Sequence, residues 1–417
     1  MLKASALYIV IVIALVMAVI CSSLIVAAYF YKVQYQKTFR YNQLKNNLES
    51  GINILLESKN DLLSEKKTSL FGAENDTVLL KRQPWGIYTV GTAKAFIQQD
   101  TIAKAFSMGS QIDSAQWSAL YIIDEDRNIS VSGKTSIKGT VYIPKAGIKE
   151  AYVNNQAYQG DKRLVIGDKK TSKRTLPVLD NKLLLQLEQS FKETDSHNDS
   201  SLIRRDSVKQ SFLNPTLTFN FGKKEYTINN HLEGNIILRS DTLLTIEATA
   251  KLNNILIFAK AIKVKSGFKG NCQLFATDSI QVEQDCNFTY PSVIAVLNFE
   301  DKAQGQRKLT LGDYSGFHGT IATYEKAKNE LVPVMDLGKA TNITGQLYSQ
   351  GLLNYKDGTV INGSVYTSRF LYQTAYTRYE NYLINIKLNG PALSPYYLPS
   401  ELIPVASKTQ KVLQWLQ

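Results

Sequence analysis

Cysteine and histidine are scarce in this chain, and charge is missing from its first part. Among 417 residues there are three cysteines and three histidines. No Cys-Cys zinc spacing, nucleotide-binding glycine loop or nucleophile elbow is present. The sequence therefore predicts no catalytic residues, no metal site and no cofactor, and we expect a protein that is not an enzyme. What is present is a globular composition, which excludes wholesale disorder.

No charged residue occurs from Ala4 to Tyr31, and Ala6 to Phe30 within this stretch reads "ALYIVIVIALVMAVICSSLIVAAYF". A helix needs about 20 apolar residues to cross a bilayer, so this stretch is long enough. A cleaved secretory signal has a shorter apolar region that ends in a small-residue site. The aromatic residues Tyr29, Phe30 and Tyr31 look instead like an interfacial belt. The pattern predicts an uncleaved, single-pass anchor, with the lipid bilayer as partner.

The basic residues around the anchor give a mixed signal for its orientation. Lys3 lies on one side, and Lys32, Lys37 and Arg40 lie on the other. The positive-inside rule alone favours a cytoplasmic C-terminal side. A large β-rich domain after a very short N-tail is typical of a signal anchor. We therefore predict a protein of the cell inner (cytoplasmic) membrane with the bulk of the chain outside the cytoplasm.

A helical period continues beyond the anchor. Leu44, Leu48, Ile52 and Leu55 fall on one face of the helix, which predicts an amphipathic stem to about Leu63. This face has two interpretations. It packs on the domain that follows it, or it is an assembly face for other envelope or pilus-like assembly proteins.

Four segments are expected. They are an anchor and stem (1–66), a mixed α/β entry segment (67–128), an interrupted repeat region (129–366, with an insertion at 144–225) and a C-terminal cap (367–417). In the entry segment, "TAKAFIQQDTIAKAFSMG" predicts a short helix and "QWSALYIID" a strand. The last residues, "SKTQKVLQWLQ", predict a short helix. The entry segment and the cap are expected to cover the two ends of the repeat array.

One short phrase occurs six times: a large apolar residue, any residue, glycine, a polar or small residue, and an apolar residue. Its copies include "FKGNC" at Phe268 and "INGSVY" at Ile361. A glycine fits a corner where the backbone needs a positive φ or close approach. The predicted corner and core residues are Gly139, Gly234, Phe268, Gly270, Gly319, Gly345 and Gly363.

Apolar residues also recur at a spacing of 18. The columns begin at Tyr226, Ile228, Leu232 and Leu238, and a later set includes Met335 with Leu353 and Ile343 with Ile361. A fixed short period indicates a stacked array, and pairs of apolar residues two apart indicate strands. The predicted fold is mainly β: a three-sided β-solenoid with 18-residue rungs behind a long N-terminal membrane-anchoring helix. Left-handed helices of hexapeptide acyltransferases also have 18-residue rungs, so the spacing leaves handedness open.

Candidate chemistry is sparse along this array. Glu247, Lys265 and Glu283 share one phase, which predicts an outer ladder of alternating sign. The histidines are His197 in a polar loop and His231 and His318 beside corner residues, positions typical of surface or packing roles. Cys272 and Cys286 are 14 residues apart, which does not match one rung. A bridge between them would need a Cα separation below about 7 Å, so we predict two buried free thiols.

The net charge of +12 allows two interpretations. In the first, the charge serves to bind a partner, which is either an acidic polymer such as an acidic glycan or a membrane surface. In the second, the lysines only keep the protein surface solvated. No nucleic acid is expected as partner.

The rung "IKVKSGFKGN" (Ile262 to Asn271) resembles those of bactofilins, the polymer-forming cytoskeletal proteins. That resemblance implies a right-handed parallel β-helix that polymerises end to end. The first 60 residues resemble the pilin-like minor pseudopilins, which begin with a basic residue, an apolar helix and a stem like "LKNNLESGINILL" (Leu44 to Leu56).

The expected function is a membrane-anchored structural or scaffolding component of a bacterial-type cell-envelope, pilus-like or secretion assembly. The alternative is a membrane-bound β-helix protein that binds or modifies envelope polysaccharide. Carboxylates and aromatic residues in one groove would favour the alternative, and a smooth charged ladder would favour the structural role.

Overall fold

The computed structural model describes residues 2–58, 65–70, 72, 76–112, 117–193, 206–301, 305–327, 331–403 and 409–416. The chain divides into two compact units. The first unit comprises 1–82 and 92–104, and the second comprises 83–91 and 105–417. Three strands pass from one unit to the other.

The described residues form two α-helices and 27 strands. The helices are α1 (Leu2–Glu57) and α2 (Asn181–Lys192). The strands before α2 are β1 (Lys66–Ser69), β2 (Thr77–Trp85), β3 (Tyr88–Ile97), β4 (Asp100–Ser110), β5 (Ser118–Ile122), β6 (Ile129–Ser132), β7 (Ser136–Lys138), β8 (Thr140–Ile143), β9 (Ile148–Glu150) and β10 (Lys169–Thr171). The next strands are β11 (Ser207–Gln210), β12 (Leu217–Asn220), β13 (Tyr226–Ile228), β14 (His231–Gly234), β15 (Ile236–Ile246), β16 (Lys251–Val264), β17 (Lys269–Val282) and β18 (Asn287–Asn298). The last strands are β19 (Lys308–Leu311), β20 (Gly316–Glu325), β21 (Val334–Leu337), β22 (Asn342–Tyr355), β23 (Val360–Gln373), β24 (Arg378–Glu380), β25 (Tyr382–Ile384), β26 (Lys387–Asn389) and β27 (Gln410–Leu416).

The first unit combines the long helix with β1 and with parts of β2, β3 and β4, which are neighbours in that order in one sheet. β1 pairs antiparallel with the beginning of β2. The second half of α1 packs on β2, and the contact is close: a Cβ at Gly51 would lie 3.0 Å from Leu80 and 3.6 Å from Val78. The apolar period of α1 therefore has a local cause, because its buried face meets the buried side of this strand.

The second unit is built on one large sheet that is mostly parallel. Successive strands pair at the spacing seen in the sequence: Leu244 with Ile262, Ile262 with Ile280, and Ile343 with Ile361. The apolar residues of these strands form one continuous buried core, which includes Phe268, Phe288 and Phe317. The 18-residue period thus corresponds to parallel stacking of strands.

Two of the expected columns are out of step. Leu238 pairs with Ile257, not with Leu256, and Leu232 pairs with Leu252, not with Ala250. The sheet has an irregularity between Asn253 and Ile255, where Asn254 takes a φ of +57°. This irregularity moves Leu256 out of the main core and into the second cluster described below.

The strands do not stack in chain order. β5 pairs with β23 through Leu120 and Val365, and β26 also pairs with β23. β8 pairs with β5, and β7 pairs with β26. β10 then pairs with β8. Residues 129–143 therefore follow the last repeats in space. Two predictions are wrong here: 144–225 is not simply an insertion, since it contains β9 to β12, and 118–122 lies between β23 and β8 rather than at an end.

A second apolar cluster covers the outer side of part of this sheet. Phe258, Phe275 and Tyr348 belong to it, and so do Leu183 and Leu187 of α2. Asp180 caps the helix, since its side chain accepts a hydrogen bond of 2.8 Å from the backbone N–H of Leu183. Through Leu183 and Leu187, α2 covers this side of the sheet.

Two helix predictions are wrong. "TAKAFIQQDTIAKAFSMG" contains the end of β3 and most of β4, with Gln98 at a φ of +56° in the turn between them. The last residues form β27, which pairs antiparallel with Ala105–Ser110 of β4. In both cases pairing in a sheet outweighs local helix propensity. The stem helix ends at Glu57, and Leu63 lies outside the described residues.

Candidate functional site

The first half of α1 is an exposed apolar surface. The helix contains an 18-residue window of mean hydropathy 3.2, none of which is buried. Leu7, Ile11 and Leu24 are among its exposed side chains. By length and composition this helix can cross a membrane. Exposed apolar area of this size is otherwise rare on a soluble protein.

The second half of α1 carries the face for which two interpretations were open. Leu44, Leu48, Ile52 and Leu55 are only 2, 2, 6 and 0% exposed. Because their own unit already covers them, these four side chains offer no surface to another helix. Their burial favours packing on the following strands over an assembly face.

Three of the predicted corner glycines form a column. Gly319 pairs with Gly345, and Gly345 pairs with Gly363. Their φ angles are +144°, +138° and +143°. A Cβ at Gly345 would lie 2.0 Å from the carbonyl oxygen of Gly319, and one at Gly363 would lie 1.9 Å from that of Gly345. No other residue fits these positions, which explains why the phrase repeats.

The glycine of the other copies behaves in two ways. Gly139 and Gly234 have φ angles of +109° and +96°, in line with the prediction. Gly270 is not among the glycines with a positive φ. Its Cβ would lie 2.6 Å from the ring of the fully buried Phe268 and 3.0 Å from the carbonyl oxygen of Leu252. Close approach, rather than backbone angle, is the reason for glycine there.

The predicted charge ladder forms in part. Lys263 and Lys265 place their Nζ atoms 3.3 and 3.5 Å from Oε1 of Glu283. Burial alone would raise the pKa of Glu283, but the N–H of Ser266 and the two ammonium groups lower it overall. Both Glu247 and Lys265 are described, and no ion pair joins them. The ladder is therefore one rung shorter than expected.

A polar groove of about 550 Å³ runs beside this ladder. One of its walls is a column in which Gln281, Thr310, Asp336 and Asn354 pair in turn on successive strands. Its glycines leave room for a neighbouring carboxylate, since a Cβ at Gly338 would lie 2.6 Å from Oδ1 of Asp313.

The carboxylates of the groove already have partners. Asp336 accepts a hydrogen bond of 2.9 Å from Asn354 and lies 3.0 Å from Nζ of Lys308. Asp313 accepts 2.8 Å from the backbone N–H of Lys339 and lies 3.6 Å from Nζ of Lys356. A pair of unengaged carboxylates, as polysaccharide cleavage requires, is not formed by these residues.

The histidines and cysteines agree with packing roles. Burial lowers the pKa of the half-buried His318, which favours its neutral form. His231 is exposed on β14, and His197 lies outside the described residues. Cys272 and Cys286 are buried and free, as their spacing predicted, and burial raises the pKa of both thiols. Within the described ranges, no group of three or more His, Cys, Asp or Glu could hold a metal ion.

Sequence reasoning missed one feature, a surface with a strong excess of positive charge. Segment 134–174 contains ten basic and three acidic residues, so it carries +7 of the chain's +12. All ten basic side chains are exposed, and together they are called the basic surface below: Lys134, Lys138, Lys145, Lys149, Lys162, Arg163, Lys169, Lys170, Lys173 and Arg174. A windowed charge count would have found it, since the lysines are not evenly spread.

Comparisons with known proteins give little. No family model matches the chain, and no curated protein matches it. Among solved structures the chain is similar to the competence-associated pilin ComZ from Thermus thermophilus, with 11% identity over 84% of this chain and 86% of that one. The TM-score is 0.24, a likeness too weak to support any inference about fold or function.

Proposed function

We propose that this protein is a membrane-anchored structural component of a cell-envelope, pilus-like or secretion assembly. One observation carries the proposal: α1 is a single continuous helix with two different halves. Its first half is apolar and unburied. Its second half is fixed to strands of its own unit through Leu44, Leu48 and Leu55.

This helix suits an anchor that presents a folded domain. A rigid helix passes from lipid into the protein without a flexible linker, so the first unit is held at the membrane. The layout is the one that the resemblance to minor pseudopilins implies. Because the buried face of the stem is already occupied, assembly contacts would involve the exposed apolar half of α1.

For the second unit we propose a three-sided β-solenoid. The support is the 18-residue register of its parallel strands and the column of Gly319, Gly345 and Gly363 at one bend. An experimental structure tests this directly. A sheet that did not turn three times in each 18-residue repeat would contradict it. End-to-end polymerisation of the bactofilin kind is not proposed, since nothing observed here supports it.

We also propose that the protein is not an enzyme. The support is the groove, where Asp336 and Asp313 are each held by a lysine and by an amide. A surface ladder of this kind stabilises a fold and leaves no carboxylate ready to transfer a proton. Release of sugars from envelope polysaccharide by the purified protein would overturn this part of the proposal.

The anchor also provides its own probe. Cys21 is exposed on the apolar half of α1, whereas Cys272 and Cys286 are buried. Oxidative crosslinking of the full chain in native membranes should give adducts through Cys21. A Cys21→Ser variant should lose the adducts, and a Cys272→Ser variant should retain them. Removal of the protein from membranes by alkaline carbonate, without detergent, would contradict the anchor.

Orientation needs a separate measurement. We propose that residues 70 to 417 lie outside the cytoplasm of the inner membrane. Protease added to intact spheroplasts should then digest them. Protection until the inner membrane is lysed would overturn the proposed orientation and leave the anchor itself intact.

A further inference from the structure

The basic surface is built from strands of two sheets of the second unit and from the loops that connect them. Lys149 of β9 pairs with Ser130 of β6, and Lys169 and Lys170 of β10 pair with Val141 and Tyr142 of β8. Adjacent strands are about 4.8 Å apart. Lys138 forms a bridge with Ile166, and Nζ of Lys169 donates a hydrogen bond of 3.0 Å to the carbonyl oxygen of Arg163, so these basic residues lie near one another.

Its lysines lack the partners that lysines have elsewhere in the same sheet. Near the groove, Lys263, Lys265 and Lys308 each lie within 3.5 Å of a carboxylate oxygen. In the basic surface only the two arginines form ion pairs among the described residues: Arg163 with Asp161 and Arg174 with Asp126, both at 2.7 Å. The remaining eight side chains are lysines without a carboxylate partner in the described part of the chain.

Hydrogen-bonding amides lie in a loop beside Lys134, since the backbone N–H of Gln159 donates a hydrogen bond of 2.9 Å to the carbonyl oxygen of Gly133. Asn154, Asn155 and Gln159 are exposed in the loop after β9. The loop has a defined shape, because Val153 forms a bridge with Gln156 and the two asparagines between them have φ angles of +53° and +59°. Tyr152, beside them, is 72% exposed. Amides and a single exposed ring are groups that contact sugar hydroxyls and sugar faces.

We propose that the basic surface binds an acidic polysaccharide. The unpaired lysines would neutralise its charged groups, and the asparagine loop would contact its hydroxyls. This goes beyond the structural role proposed above, and either can fail without the other. A positively charged surface that meets a polyanion gains affinity by releasing counterions, so binding should weaken steeply as salt rises.

The details favour a polysaccharide over a nucleic acid. Arginine recognises phosphates through its two-pronged guanidinium. Arg163 already uses Nε and Nη2 on Asp161, at 2.9 and 2.7 Å. Single strands also need aromatic rings on which bases stack. The ring of Tyr142 is covered by Lys170, whose Nζ lies 5.6 Å from the ring centre, so the exposed ring of Tyr152 stands alone and cannot stack successive bases.

A different role for the lysines is protection. Lysines on an exposed strand such as β10 discourage pairing with another molecule. Protection requires no ligand and predicts aggregation when the lysines are removed. It does not require the neighbouring amide loop.

The test measures binding of the full chain in detergent micelles to sodium polygalacturonate, with neutral dextran as the uncharged control. The test variant replaces Lys134, Lys145, Lys149 and Lys162 by glutamine. The matched control replaces four other exposed lysines by glutamine and so changes the net charge equally: Lys223, Lys224, Lys269 and Lys339. We expect about a tenfold loss of affinity or more in the first variant and less than about a twofold loss in the second.

A second variant separates specific contacts from charge. Asn154→Gly with Asn155→Gly leaves the charge unchanged, suits the positive φ angles of both positions and should weaken binding of the acidic polymer as well. Equal losses in the two lysine variants would overturn the proposal, because net charge alone would then explain binding. Tighter binding of duplex DNA than of polygalacturonate would overturn it in favour of nucleic acid. Absence of binding, with aggregation of the first lysine variant, would assign the lysines to protection.

Discussion

The middle of the large sheet and the basic surface are built from the same kind of strand, but they treat charge and space differently. In the middle, Lys265 and Lys308 form ion pairs with carboxylates from neighbouring rungs. Glycines occupy positions where an added Cβ would lie within about 2 Å of a carbonyl oxygen. On the basic surface, lysines such as Lys149 have no such partner. Gly147 has a φ of +78° but no atom within 4 Å of a Cβ. The contrast separates residues that hold the stack together from residues that remain available to a ligand.

The largest expected difference concerns the glycines. Gly345→Val would press a branched side chain onto the carbonyl of Gly319 at a φ of +138°. We expect a loss of about 5 kcal/mol, or failure to fold, because strain and overpacking add. Gly147→Ala meets only the backbone penalty, about 1–2 kcal/mol. Urea unfolding monitored by tryptophan fluorescence measures the stability of both variants. Similar losses of stability would show that the glycines of the two regions are under the same steric constraint.

The second difference concerns the apolar core. Phe288 is fully buried, with ring centroids 5.3 Å from Phe268 and 5.6 Å from Phe317. Phe288→Ala should cost about 3–5 kcal/mol, since it removes a ring and leaves a cavity between two others. Val165 is 3% exposed and lies within the segment of the basic surface. Val165→Ala should lower the free energy of unfolding by about 1–2 kcal/mol. A larger loss at Val165, measured by the same urea titration, would show that the core is not centred on the phenylalanine column.

A third and smaller difference concerns the lysines themselves. Lys265→Gln removes a contact with Glu283 and should cost about 0.5 kcal/mol. Lys149→Gln breaks no ion pair among the described residues and should change stability by less. Thermal unfolding at low salt and at about 0.5 M salt tests both, since screening should reduce each effect. A destabilising effect of Lys149→Gln would mean that this lysine has a structural partner.

A last effect, similar in size to that of the lysines, depends on pH. The pKa of Glu283 is lowered in the folded protein, so its ionised form stabilises the fold. That contribution is present above its unfolded pKa, about 4.3, and is lost as the pH falls through the lower folded value. Wild type and Glu283→Gln should therefore differ by up to about 1 kcal/mol near neutral pH and converge in acid. A difference that persisted at the lowest pH would have to come from something other than this charge.

Much of the stacking was predictable from the sequence, because strand alternation and glycine position depend on short-range chemistry. The columns at Tyr226 and Ile343 and the free thiols are seen in the structure as predicted, and five of the six repeated glycines have a positive φ. The shift at Leu238 was not predictable, since a bulge at Asn254 leaves no apolar signature.

Other features depended on distant partners. β4 and β27 have the composition of helices and become strands because they pair in a sheet, β4 with both β3 and β27. The face of Leu44 and Leu48 could not be assigned from its period, because a buried face and an assembly face have the same pattern. The basic surface was visible as composition, but the lack of carboxylate partners around it required the structure.

The order of the strands has a consequence for how the chain is made. Leu120 pairs with Val365, and Leu388 pairs with Ile137. Strands near the N-terminal end of the sheet region therefore pair with strands close to the C-terminus. During synthesis, residues 118 to 171 emerge long before the strands on which they stack. Domains with such distant pairings fold slowly and expose unpaired edges meanwhile. If the chain is exported, this delay would suit it, because its largest sheet could not close before the C-terminal residues have appeared.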